Sequence, residues 1–88
     1  MFECVVFIDR FDGVISVVEE SRLGEYAEET AAIETARAHR AGFVPSIDSE
    51  YAWWVVRRCG DMLARWIADS RSTREFVLDI RSGQLVEA

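Results

Sequence analysis

Lysine and asparagine are absent from the 88 residues, and proline and histidine occur once each. All ten basic residues are arginines. The simplest cause of both absences is a GC-rich genome, which depletes codons beginning AA. Two cysteines, Cys4 and Cys59, are too few for a disulfide scaffold and are read as reduced thiols. With His39 as the only histidine, far from both in sequence, the short paired spacings of a closed zinc site are missing. No nucleophile, base and orienting acid fall into a recognisable pattern, and no phosphate-binding loop is present. Neither catalytic residues nor a metal or cofactor is expected, and His39 is read as a solvated residue helping to satisfy a helix C-terminus.

No run of eighteen apolar residues occurs, which excludes a helical membrane span by pattern. The start, Met-Phe-Glu-Cys, lacks the basic and long apolar stretches of a secretory signal, so a cytoplasmic protein is expected. Half the residues are apolar, as in ordinary globular domains. Eighty-eight residues make one domain, 1–88, of modest core. No internal repeat or low-complexity tract interrupts it.

The net charge of −6 is unevenly held. Residues 1–50 carry eleven acids against four arginines, whereas residues 51–88 carry five acids against six arginines. An acidic total argues against direct binding of nucleic acid, which needs a basic footprint, and against anionic membrane surfaces.

Phe2 to Phe11 reads as a strand, Asp12-Gly13 as a two-residue hairpin turn, and Val14 to Glu20 as the return strand. That turn length puts Phe11 opposite Val14, Phe7 opposite Val18 and Ile8 opposite Val17. Both faces of the hairpin are then apolar, so something must cover each. Ser21 to Gly24 reads as a polar connector. A helix beginning at Glu25 or Ala27 and ending at Ala41 carries acids at its start, bases at its end and Gly42 as a stop. It is expected to lie on the sheet through Tyr26, Ile33 and neighbouring alanines. Residues 43–49 form a loop, with Pro45 holding Val44 extended. Tyr51 to Arg58 reads as a strand, and Cys59-Gly60-Asp61 as a tight turn that places Trp54 opposite Trp66 and Val56 opposite Ala64. Met62 to Ser70 is read as extended, because it follows a turn and precedes a strand, although its apolar spacing also fits a helix capped by Asp61. Arg74 to Arg81 alternates, with Phe76, Leu78 and Ile80 inward and Glu75, Asp79 and Arg81 outward. Ser82-Gly83 turns the chain once more, letting Leu85 and Val86 pair. The predicted class is α+β: a small antiparallel sheet in a ββαββ(β) layout with one main helix on one face.

Asp9-Arg-Phe-Asp12-Gly13-Val14, after a hydrophobic strand, has a superficial likeness to the aspartate motif of haloacid-dehalogenase-type phosphatases. Those aspartates stand two apart; here they stand three apart, on opposite faces of a strand, in a chain too short for that family's parallel sheet. Asp12 is read instead as a turn residue and Asp9 as a strand-end charge.

What remains points to binding. Adjacent Trp53 and Trp54 must face opposite sides of a strand, and one helix covers one side. Trp53, Arg57 and Arg65 are the candidate contact cluster, since tryptophan and arginine concentrate binding energy at interfaces. Glu19, Glu20, Glu25, Glu28 and Glu29 form a second candidate surface, acidic and suited to a basic partner. The sequence-level reading is a small non-enzymatic protein-interaction domain, working through a sheet face or the acidic surface and pairing with itself as a homodimer or with a basic protein. One alternative is an acidic inhibitor occupying a basic nucleic-acid-binding surface, in the manner of phage-encoded antidefence proteins. Another is a small-ligand carrier or enzyme using the space between helix and sheet.

Overall fold

The computed structural model describes all 88 residues. Six strands and one helix follow in the order β1 (Phe2–Phe11), β2 (Ser16–Tyr26), α1 (Glu29–Ala41), β3 (Tyr51–Arg58), β4 (Ala64–Asp69), β5 (Glu75–Asp79) and β6 (Gln84–Glu87). They build one antiparallel sheet of order β2-β1-β3-β4-β5-β6, with α1 on β1, β2 and β3. The class and layout are those expected. Residues 64–69 are extended, and no helix is long and apolar enough to cross a membrane.

The core lies between α1 and one sheet face. Cys4, Val6, Ala52, Trp54, Val56, Trp66 and Ala68 meet Ala32 and Ala36 there, all buried. The helix contributes mainly alanines, which let its axis come close while the two tryptophans fill the volume. Each tryptophan brings about 200 Å² of burial, worth about 5 kcal/mol at most. Their indole N–H groups must be satisfied in that dry layer. Trp54 Nε1 donates to His39 Nδ1 at 2.9 Å, and Trp66 Nε1 donates to Glu75 Oε1 at 3.2 Å. His39 is therefore an acceptor for the core and not merely a helix-end residue. Phe43 packs edge-on against Trp54.

Several local expectations are corrected. The first hairpin turn has four residues, not two: Phe11 pairs with Ser16, Phe7 with Glu20 and Ile8 with Glu19. The Asp12 carboxylate causes this by accepting the backbone N–H groups of Val14 and Ile15, which closes a wider turn. The connector at 21–24 is instead the second half of β2, which runs past a bulge to Tyr26, and the helix begins only at Glu29. Tyr26 thus packs on the core from the sheet. In the β3–β4 hairpin, Val56 pairs with Trp66 and Trp54 with Ala68, because Asp61 Oδ1 takes the Leu63 N–H and lengthens the loop. Gly60 sits at φ +82°, the left-handed conformation that glycine allows in this turn.

On β5 the inward set is the reverse of that expected. Glu75 and Val77 face α1, through the Trp66 bond and the core, while Phe76 pairs with Ile67 on the far side. Alternation defines two faces but not which one is covered; here Trp66 required an acceptor, and Glu75 supplies it. The remaining oxygen of Glu75 and Oε1 both accept from Arg37. From the last turn of α1, Arg40 donates Nε to the Asp69 carbonyl at 2.7 Å and reaches the Ser72 carbonyl, fastening the β4–β5 turn to the helix.

Candidate protein-docking face

The odd-numbered residues of β1 and β3 point away from α1. Phe7 pairs with Trp53, Asp9 with Tyr51, and Val5 with Val55, which continues through Ile67 to Phe76. No helix or further strand packs on this side, although Val5 and Val55 within it are buried. Its centre is aromatic: Phe7 and Trp53 stack at 5.3 Å between centroids and 11° between planes, and Tyr51 leans on Trp53 at 5.6 Å. Beside them lies a cleft of about 380 Å³ lined by Tyr51, Trp53, Ile67, Ala68, Asp69 and Phe76. The Arg71 guanidinium rests over the Tyr51 ring, 4.9 Å from its centroid. Burial, and then the Asp69 charge, raise the ionisation of the Tyr51 phenol above its ordinary range.

The face continues onto an arm. β3 pairs with β1 only as far as Asp9, whereas the first hairpin runs on through Phe11 and Ser16. Phe11, Val14, Ile15, Val17 and Val18 are all exposed on this projection, Val14 at 84%. Phe11 and Val18 share the face of Phe7 and Tyr51 by register. Val17, opposite Arg10, lies on the other face. By register the arm therefore adds Phe11 and Val18 to the docking face, and exposed apolar side chains of this kind mark interaction surfaces.

At the opposite end the face is closed by charge. Glu3 and Arg57, register partners, have side chains only 7% and 11% exposed. Arg57 Nε donates to Glu3 Oε1 at 2.7 Å and its NH2 group to Glu20 Oε1 at 3.0 Å. Arg22 donates twice to Glu3 Oε2, at 3.0 and 2.7 Å, and pairs with Glu25. The Arg57 hydrogen bond, more than any other cause, holds the Glu3 carboxyl below the usual carboxylate range.

The predicted contact residues are therefore separated. Trp53 lies at the centre of the uncovered face. Arg57 lies at its charged end, paired with Glu3 and Glu20. Arg65, the bulge residue of β4, pairs with Glu29 on α1 and rests over Phe2 on the helix side. Of the five acids, Glu19 is bound to Arg10, Glu20 to Arg57, Glu25 to Arg22 and Glu29 to Arg65; only Glu28, the residue before α1, makes no ion pair. Phe7, Tyr51, Ile67, Asp69 and Phe76 were not singled out as site residues. The Tyr51-x-Trp53-x-Val55 alternation carried the signal for part of this face, but the pairing of β3 with β1 was needed to add Phe7.

No group of three or more His, Cys, Asp or Glu residues is placed to hold a metal. No protein family, no curated protein and no solved structure matches this chain.

Proposed function

We propose that this protein is a small interaction domain that docks on a protein partner through the face of its sheet opposite α1. The observation that carries this reading is the Phe7–Trp53–Tyr51 array, half-buried and continuous with the exposed hairpin arm, on a side where the chain places no covering layer. Aromatic side chains supply large contact area at small entropic cost, which suits them to anchor a partner. The acidic-inhibitor reading draws less support, because four of its five glutamates are already bound to arginines of the same chain.

Site-specific photo-crosslinking tests the reading. A benzophenone side chain at position 53 or position 11 should yield one defined crosslinked product in the native host, and the same group at Thr30 on the outer side of α1 should not. Products of equal yield from all three positions, or none from positions 53 and 11, would refute it. Light scattering of the purified chain then identifies the partner type: a mass near twice the 10.0 kDa of the chain makes the partner a second copy, and a mass of one chain makes it a foreign protein.

A further inference from the structure

From the cleft beside Trp53, the geometry points to an arginine side chain of the docked partner as the group this face receives. This rests on the docking reading and names the chemistry of the contact. Three observations converge. First, the cleft is lined by the aromatic residues Tyr51, Trp53 and Phe76 and by Asp69, with Ile67 and Ala68 beside them. Aromatic faces with an adjacent carboxylate favour a cation over a neutral group, and a planar guanidinium can both stack on a ring and fork a carboxylate.

Second, this face holds two carboxylates that form no ion pair within the chain. Asp69 accepts the Arg71 backbone N–H at 2.8 Å but forms no ion pair. Asp9, the register partner of Tyr51, also forms none, and its Oδ1 is buried without any hydrogen-bond donor. Elsewhere the fold pairs its buried acids thoroughly: Glu3 and Glu50 each meet an arginine. Asp9 and Asp69 therefore flank one aromatic row, each without an ion pair.

Third, the chain already shows that the chemistry works there. Arg71 stacks on Tyr51 at the edge of the row, whereas Trp53, the best ring for such a contact, has no cation of its own. Against the single Arg71 charge, Asp9 and Asp69 leave the row negative, so a second guanidinium is attracted and not repelled.

The test uses the full chain, ¹⁵N-labelled, titrated with the peptide acetyl-Gly-Arg-Gly-amide, its citrulline counterpart and its lysine counterpart. Citrulline keeps the planar shape but loses the charge and exchanges one donor group for a carbonyl acceptor. Saturable shifts of the Trp53 indole and of the Asp69 and Phe76 amides are expected with the arginine peptide at about 10 mM or below, the range of a single-residue contact. Citrulline and lysine should each bind about tenfold more weakly. Asp69→Asn should reduce arginine binding by a similar factor while leaving the remaining spectrum in place. Equal binding of citrulline or lysine, indifference to Asp69→Asn, or no saturable shift at Trp53 overturns the assignment. Should crosslinking from position 53 succeed while the arginine peptide fails, the docking reading stands and the arginine assignment alone falls.

Discussion

Replacing Arg57 by methionine removes the charge from the most enclosed ion pair in the protein while keeping most of the apolar stem. The substitution strands the Glu3 carboxylate, 7% exposed, without its 2.7 Å partner on Oε1 and leaves Glu20 without its own. Breaking one side of a buried pair costs about 3–5 kcal/mol when the survivor is left bare. Glu3 is not left bare, because Arg22 keeps both its bonds to Oε2, and Arg22 itself is half-exposed. The expected loss is therefore about 2–3 kcal/mol, set by one charge-assisted hydrogen bond and part of the desolvation of Glu3. For 88 residues of ordinary stability, roughly 4–13 kcal/mol in all, this is a large share and lowers Tm by roughly 10–20 °C.

Urea unfolding of the wild type, Arg57→Met, Glu3→Gln and the double variant would measure it. The double variant should be less destabilised than the two singles added together, with a coupling of about 1–3 kcal/mol. pH supplies a second readout. The folded carboxyl of Glu3 lies below its ordinary value, so its contribution is complete above the ordinary carboxylate range and fades as pH falls through the folded value. The gap between wild type and Arg57→Met should accordingly narrow below about pH 4. Additive single variants, or an Arg57→Met loss under about 0.5 kcal/mol, the size of an ordinary surface change, would show that the pair is not enclosed in solution.

Two further outcomes follow from the core. His39→Ala removes the acceptor of the Trp54 indole and should cost about 1–3 kcal/mol in chemical denaturation, the penalty of an unsatisfied buried donor; a neutral result would mean that water reaches the indole. Burial pushes the Cys4 thiol up from about 9 to about 11, so stability should decline as pH rises from the unfolded value through the folded one, and Cys4→Ala should lack that decline.

What the sequence made legible was local. Turn residues located the β1–β2, β3–β4 and β5–β6 hairpins, and alternation correctly set Trp53 and Trp54 on opposite faces. Registers were not legible, because Asp12 and Asp61 lengthen their turns through side-chain hydrogen bonds that an Asp-Gly or Gly-Asp pair does not specify. Both hairpins slipped by two residues, which preserves the side each residue faces; a slip of one would have inverted them. The covered side of β5 was hidden for a different reason. It depends on Trp66 needing an acceptor and on Arg37 arriving from α1, contacts made across the sheet and between layers.

The same distance hid which charges are free. Glu3 lies 54 residues from Arg57, and Arg65 lies 36 from Glu29, so composition shows an acidic first half beside a neutral second one, while the fold joins them arginine to glutamate. Once those pairs are made, an acidic run such as Glu19 and Glu20 is structure, and charge available to a partner must be sought where pairing fails. On the face opposite α1 it fails at Asp9 and Asp69, two acids that nothing in their local sequence distinguishes from the rest. They share one face only because β1, β3 and β4 lie side by side in that order, with Tyr51 and Trp53 of β3 between them. A binding face read from residue type alone therefore gathered Arg57 and Arg65 to Trp53, whereas the assembled sheet takes both arginines away and leaves two carboxylates in their place.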